Sequence, residues 1–477
     1  MKKLNVVCTG AMALALTVSG AAQDLPAADR ALARDIFKQL IEINSTDSVG
    51  SVTAAATAMR QRLLAGGFAA EDLKLLGPND RKMNLVATYR GKTGSALKPI
   101  LLICHLDVVE AKRDDWTYDP FVFTEKDGFF YGRGTQDIKQ GDAGLVYAFL
   151  RMKREGYVPD RDIVMALTAD EEGGLSNGVD WLEKHHPDLM RAEFVINPDA
   201  GGVYGEKGVA TVFDVEATEK TYADFRIIAT NKGGHSSLPV PDNAIYHVTN
   251  ALGRLEKTPF PIELNAVTKA YLDKMTTIAR GQVAEDIKGV LKQPMDMAAA
   301  ARLTEDASYN STLRTTCVAT MLTAGHAPNA LPARAQANVN CRILPGHSGE
   351  EIRQKLIAVF NDPTLTVQYV TDAGMVMDKA ADRSSAPPPP VNATVQGALV
   401  KVVGKMWPGL PIVPTMEACA SDSIYTTAAG VPSYGLNGFQ IDADDVRAHG
   451  RDERLGVEAY YKGVAFTYAY LKALTEK

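Results

Sequence analysis

The stretch Pro99-Ile100-Leu101-Leu102-Ile103-Cys104-His105-Leu106-Asp107 places an unbroken apolar run directly in front of a His-x-Asp pair. Such a run suits a central strand of a parallel sheet, buried on both faces. Residues two apart on a strand face the same way, so if the strand reaches Asp107 its carboxylate lies beside the His105 imidazole and can orient it. The same pattern recurs twice downstream. Ile163 to Leu167 leads into Asp170-Glu171-Glu172-Gly173-Gly174, and Phe194-Val195-Ile196 leads into Asn197-Pro198-Asp199-Ala200-Gly201-Gly202. After the first run comes the glycine-rich turn Gly132-Arg133-Gly134-Thr135-Gln136-Asp137-Ile138-Lys139-Gln140-Gly141, which opens a helix-like stretch from Ala143 to Met152. Open α/β sheets hold ligands in the crevice beyond the carboxyl ends of their strands, where these acidic residues would converge.

Each residue alone has a plainer reading. His105 could be a strand-end histidine, Asp137 the N-cap of the following helix, Asp170-Glu171-Glu172 a solvated acidic turn, and Asp199 a turn residue before two glycines. Together with His449, in Ala448-His449-Gly450-Arg451-Asp452-Glu453, they form an ordered set that coincidence explains poorly. Imidazole and carboxylate ligands suit zinc, with cobalt or manganese as alternatives, and no cysteine is required.

These five motifs, in this order from about Asp29 to the C-terminus, resemble the co-catalytic zinc metallopeptidases that include aminoacylase, carboxypeptidase S and the bacterial glutamate carboxypeptidase. The resemblance implies two divalent ions per subunit. His105 would bind one, steadied by Asp107, and Asp199 would complete it. Asp137 would bridge the pair, and Glu172 and His449 would hold the second ion. Glu171 would be the general base, a division of labour that spacing cannot make because adjacent residues of an extended chain point to opposite sides. Two ions lower the pKa of a shared water and polarise a carbonyl, leaving Glu171 to move the proton to the departing nitrogen.

The resemblance also assigns residues outside the metal set. His235, in Lys232-Gly233-Gly234-His235-Ser236-Ser237, matches a histidine that in many relatives crosses a homodimer interface to stabilise the oxyanion, so it is expected far from the metals within one subunit. Its local reading is a turn histidine bonded to Ser236 or Ser237. Asn329 and Arg342 match positions that hold a substrate carboxylate, a task the planar guanidinium suits; otherwise Arg342 is a strand-end surface charge. Ala420-Ser421-Asp422-Ser423 and Tyr434-Gly435-Leu436-Asn437-Gly438 resemble two pocket segments, with Gly435 against the substrate. Ile424 stands where many relatives carry arginine. A cis peptide at Asp137-Ile138 is a further family expectation.

At 477 residues the chain exceeds the size at which one core stops growing. The expected architecture is α/β: a discontinuous zinc-exopeptidase-like catalytic domain over residues 25–215 and 384–477, with an inserted ferredoxin-like α+β lid or dimerisation domain over residues 216–383. The lid reads strand (Asp224 to Thr230), helix (Asn243 to Leu255), strand (Thr312 to Leu322), strand (Ala335 to Ile343), helix (Gly349 to Phe360), strand (Leu365 to Val370), the split β-α-β-β-α-β order. A helical insertion from Ile262 to Glu305 departs from that unit. Ser384 to Pro390, rich in proline, reads as a linker.

A net charge of −6 gives no footprint for nucleic acid. Lys2-Lys3, the apolar Val6 to Val18 and the small residues Ser19 to Ala22 read as a signal peptide over residues 1–22, too short to span a bilayer. The expectation is a periplasmic or secreted protein with no membrane association after cleavage. Cys8 precedes the apolar core, which argues against a lipoprotein site. Export permits disulfides, and Cys317 and Cys341 flank the loop around Asn329 on two apparent strands that could face each other. His185, His186, His247, His326 and His347 lack comparable contexts. The functional expectation is an exported exopeptidase acting on short peptides or N-acyl amino acids, a carboxypeptidase first, with aminoacylase and dipeptidase as alternatives. A catalytically silent peptide-binding relative would have lost a ligand or the base, and this chain keeps them all.

Overall fold

The computed structural model describes residues 25–371, 374–380, 388 and 391–476. The expected signal peptide and, apart from Pro388, the region of the expected linker lie outside the described residues.

Ile100–His105 is the strand the apolar run announced, buried along its whole length. It pairs in parallel with Ile163–Thr168 on one side and Val195–Asn197 on the other, and Ser433–Gly435 continues the parallel set next to Val195–Asn197. The continuous hydrophobicity of Ile100–His105 follows from cover on both faces. Ile100, Leu102 and Cys104 join a large core with Phe37, Phe149, Tyr460 and Val464, from the helices Ala27–Glu42, Lys139–Arg154 and Val457–Thr475. Leu101 and Ile103 face a smaller core with Val179 and Leu182 of the helix Gly178–His185. Outside the parallel strands, Asn84–Tyr89 and Leu73–Leu76 extend one edge in antiparallel fashion. On the other side lie Val209–Glu219, Gly202–Glu206 and Ile441–Asp442, with Ile412–Glu417 parallel to Val209–Glu219.

The lid is a second sheet in the order Thr316–Ala324, Arg334–Ile343, Thr221–Thr230, Thr366–Val370, Val376–Met377, antiparallel throughout. The helices Ala244–Lys257 and Gly349–Phe360 close its core through Ala251, Leu255, Ile352, Leu356 and Phe360. Numbered along the chain, the first four strands of that order run second, third, first, fourth, the arrangement a split β-α-β-β-α-β unit produces. Cys317 and Cys341 are register partners and form a disulfide.

Two lid boundaries differ from the expected ones: the catalytic-sheet strand Val209–Glu219 runs past the expected lid start at residue 216, so the lid follows it, and a lid strand starts late. The strand expected from Thr312 begins at Thr316, because Asp306 caps a helix Ala307–Leu313 by accepting the N–H groups of Ser308 and Tyr309 at 2.9 and 3.1 Å. Leu313 is buried with Leu272, Ile287, Val290, Ala300 and Leu303 in a small separate core. That core belongs to the insertion, which is helical as expected: Ala266–Ile278, Gly281–Val290 and Met297–Leu303. Its first helix packs on Ile412–Glu417, with Asn265 Nδ2 donating to Met416 Sδ at 3.5 Å. Among the described strands Ile412–Glu417 pairs only with Val209–Glu219, so the insertion covers an edge that would otherwise be open.

Candidate active site

Three parallel strands deliver side chains or loops to one place at their carboxyl ends. Ile100–His105 stops on His105, whose ring is buried. Its Nδ1 lies 3.0 Å from the carbonyl oxygen of Asp107. A carbonyl only accepts, so Nδ1 carries the hydrogen and Nε2 faces the carboxylates of Asp137 at 3.2 Å and Asp199 at 3.5 Å. The Asp107 carboxylate does lie beside the ring, as expected, but the hydrogen bond to Nδ1 is made by the Asp107 carbonyl. The strand ends before Asp107, so the backbone carbonyl orients the ring, and the carboxylate, 3.7 Å from Nδ1, accepts the N–H groups of Glu171 and Glu172 at 3.2 and 3.0 Å.

Asp137 projects from the glycine-rich turn. Gly134 sits at φ +91°, a conformation open to glycine, and the buried Glu453 gathers the N–H groups of Gly134, Gln136 and Asp137 at 3.2, 2.6 and 3.1 Å. Arg133 Nη1 donates to the same carboxylate at 2.6 Å. The Asp137-Ile138 peptide is cis. The helix starting at Lys139 has Ile138 at its N-cap and no side-chain cap, so Asp137 is not used for capping. Its carboxylate is shared instead between the histidines: Oδ1 faces His105 and Oδ2 lies 3.0 Å from His449 Nε2.

Glu171 and Glu172 follow Asp170, a non-glycine residue at φ +58°. Lys82 holds it there, donating to Asp170 and, at 2.7 Å, to Asp47. Glu172 Oε1 is 2.9 Å from His449 Nε2. His449 is itself left-handed, at φ +62°. Side chains from residues 105 to 449 therefore meet in three overlapping groups whose potential ligand atoms lie within 4.8 Å of one another: His105, Asp137 and Asp199; His105, Glu171 and Glu172; Asp137, Glu172 and His449.

These residues fit a pair of cations. His105 Nε2 is buried and makes no hydrogen bond despite two carboxylate oxygens nearby, as expected for an atom aimed at an ion. Four carboxylates surround two imidazoles. Burial works against a charged His105, yet Asp199 and Asp137 outweigh it and hold its pKa well above the usual histidine value. Hydrogen bonds to Asp137 and Glu172 push His449 up to about 10. Burial pushes Glu171 up to about 10, with Asp199, Asp422 and Glu172 adding to the effect against His105. Asp137 falls below the ordinary carboxylate range because its two histidines overcome its burial. Bound cations would reverse these local biases.

The remaining residues singled out from sequence lie on the lid or at its border. His235, on Gly234–His235, pairs with Ala330–Leu331 and is exposed. Its Nδ1 accepts the Ser237 N–H at 3.2 Å and lies 2.7 Å from Ser237 Oγ, the local contact foreseen, which leaves Nε2 as the hydrogen-bearing nitrogen. His235 enters none of the three ion-holding groups found among the described residues. The Asn329 carbonyl accepts the Ser236 N–H at 3.1 Å, which keeps Asn329 beside His235. Arg342 Nη1 donates to the Ala418 carbonyl at 3.2 Å with its guanidinium over Tyr222. Gly435 is buried so closely that a Cβ there would lie 2.8 Å from Ala200 Cβ and 2.9 Å from Glu216 Cβ.

Three supporting residues escaped sequence reading: Glu453, Lys82, and Asp422 as a buried acceptor from Thr168 Oγ1 at 3.1 Å and Asn177 Nδ2 at 2.6 Å. In the sequence Glu453 is only the end of the His449 motif, and nothing local marks it as the anchor of a loop more than 300 residues earlier.

Residues 101–473 match the model of Peptidase family M20/M25/M40. The chain belongs to this family. Among M20 relatives, it is 27% identical over 419 residues to a probable carboxypeptidase S-like 2 of Dictyostelium discoideum, covering 83% of this chain and 76% of that protein. It is 26% identical over 407 residues to the N-fatty-acyl-amino acid synthase/hydrolase PM20D1 of Mus musculus, covering 82% and 77%. The M20 metallo-carboxypeptidase Sso-CP2 of Sulfolobus solfataricus shares the fold with a TM-score of 0.67 and 16% identity, over 93% of this chain and 99% of that one. The protein is thus an M20 hydrolase, an enzyme of a metal-dependent family with an α/β catalytic domain and an inserted lid.

Proposed function

We propose that this M20 enzyme is an exported exopeptidase that uses two zinc ions to release the terminal amino acid of short peptides or N-acyl amino acids, acting foremost as a carboxypeptidase. The observation that carries the reading is the division of the Asp137 carboxylate between His105 and His449, one oxygen to each, with Asp199 and Glu172 completing the two sides. His105, Asp137 and Asp199 would hold one ion, and Asp137, Glu172 and His449 the other. When bound, the ions supply an acidified water and polarisation of the scissile carbonyl.

The protein groups do the rest. Glu171 accepts the proton of the attacking water and returns it to the leaving nitrogen. Asp107 holds Glu171 in place through the backbone N–H. Arg342 and Asn329 receive the α-carboxylate of the departing residue. His235 offers its Nε2–H to the carbonyl oxygen from the lid of a second subunit. Its exposure supports that role, as does the outward edge strand Thr316–Ala324, where Val318, Met321 and Leu322 are 59%, 68% and 54% exposed. The Cys317–Cys341 disulfide supports an oxidising compartment, hence a periplasmic or secreted location.

The variant Glu171→Gln tests the mechanism. It keeps the full metal content and loses about 10²–10⁴-fold in kcat on peptide and N-acyl amino acid substrates. Unchanged turnover removes Glu171 from the chemistry and overturns the two-metal hydrolytic mechanism with it.

A further inference from the structure

Beyond the metal centre lies a sheet face rich in acids. Phe213, Val215 and Ala217 of Val209–Glu219 and Met416 of Ile412–Glu417 point into the main apolar core. Asp214, Glu216 and Glu417 therefore face the other way. The register between the two strands slips after Thr415, which pairs with Glu216, whereas Met416 pairs with Thr218. Ala217 is the extra residue of a bulge, and it brings Glu219, three residues after Glu216, onto the same acidic face beside its partner Glu417.

This face is buried without being neutralised. Glu216 is 2% exposed and Glu219 8% exposed. Glu216 Oε2 and Glu219 Oε1 have no hydrogen-bond partner; the other oxygen of Glu219 accepts the Ser421 N–H at 2.8 Å. None of the four acids joins an ion pair among the described residues. The adjacent cation, Lys220, is directed at Ser311 Oγ and Thr316 Oγ1. A buried carboxylate left unpaired is costly, so such groups mark a missing cation or carry a proton. Burial raises both, Glu216 well above the carboxylate range with Glu219 and Glu417 adding to the effect, and Glu219 to about 8 with Asp199 and Asp422 adding to it. None of these acids enters an ion-holding group found among the described residues.

The face lies against the loop that carries a candidate metal ligand. Glu216 packs on Gly435, which also abuts Ala200, the residue after Asp199. Arg342 Nη1 donates to the carbonyl of Ala418, which stands between Glu417 and the exposed Cys419. A molecule with its carboxylate on Arg342 thus has the acidic face within reach of its other end.

We propose that Glu216, Glu219 and Glu417 form a subsite for the ammonium or guanidinium side chain of the released amino acid, so that the substrates are short peptides or N-acyl amino acids ending in a basic residue. The proposal rests on the hydrolase reading for the role of Arg342. The same carboxylates could instead take the free amino terminus of a peptide, and the test separates the two sources.

The experiment measures binding of L-lysine, L-norleucine and L-glutamate to the zinc-loaded protein by calorimetry. It then compares kcat/KM for benzoyl-Gly-Lys, benzoyl-Gly-norleucine and the unblocked Gly-Gly-norleucine. Lysine binds about tenfold or more tighter than norleucine, and the lysine substrate leads by a similar factor, as charge-assisted hydrogen bonds provide. Glu219→Gln and the half-buried Glu417→Gln, each checked for native thermal unfolding, bring the lysine-to-norleucine ratio towards one. Equal binding of lysine and norleucine, or a ratio that survives both substitutions, overturns the subsite. A lead of Gly-Gly-norleucine over its benzoylated counterpart, without a lysine preference, assigns the acids to an amino terminus and overturns it as well. Preferential lysine binding with no hydrolysis of any peptide leaves the subsite standing and sinks the hydrolase reading.

Discussion

At the scale of single residues, the site depends on groups that touch no substrate. Glu453 fixes the Asp137 turn through three backbone N–H groups and Arg133. Replacing it with alanine strands a buried guanidinium and frees the turn. Glu453→Ala should cost about 3–5 kcal/mol in denaturant unfolding and weaken metal binding by about 10–100-fold, as loss of a supporting partner does. Metal affinity equal to that of the parent would show that the turn holds itself. The histidines carry a second consequence. His105 and His449 both have pKa values raised by their carboxylate neighbours, which favours the protonated imidazole when no metal is bound. Metal binds neutral imidazole, so loading must expel protons, and apparent affinity must rise with pH. Zinc titrations at pH 7 in buffers of different ionisation enthalpy should report the release of at least one proton per site; a buffer-independent heat contradicts this electrostatic picture.

At the scale of elements, the sequence was most legible where burial left one reading. Ile100–His105 and Ile163–Thr168 were recognisable because strands covered on both faces must be apolar throughout. The order of lid strands and helices was also visible in their periodicities. What sequence could not show was where a strand ends in space: Ile100–His105 stops short of Asp107, so the Asp107 carbonyl bonds the ring while its carboxylate, beside the same nitrogen, also gathers the N–H groups of Glu171 and Glu172. Local pattern puts Thr312 on a strand because neither the Asp306 cap nor the insertion's own core is evident from it. The exposed edge Thr316–Ala324 yields a prediction of its own. An unpaired apolar edge is a place for another chain, and if the proposed dimer forms there, Met321→Lys with Leu322→Glu should convert it to a monomer in sedimentation experiments. The same change should lower kcat and spare the metal content, since His235 then has no neighbouring site to enter. Undiminished kcat in a monomer rules out completion across subunits.

At the scale of the whole molecule, the fold is a device for bringing distant segments together. The parallel core supplies His105, Glu171, Glu172 and Asp199 from successive strand ends, while the chain must leave to build the lid and return before it can supply Gly435 and His449. The candidate ligands were legible because each carries a short local context. Glu453 and the acidic face around Glu216 were not, because their meaning lies in contacts made across the return path, and a β-bulge hides the shared face of Glu216 and Glu219 from simple alternation. The central claim is that two cations sit on either side of Asp137. Anomalous diffraction from crystals of the zinc-loaded protein, recorded across the zinc edge, tests it most directly. The account predicts two peaks, one among His105, Asp137 and Asp199 and one among Asp137, Glu172 and His449; a single peak, or peaks away from Asp137, would contradict it.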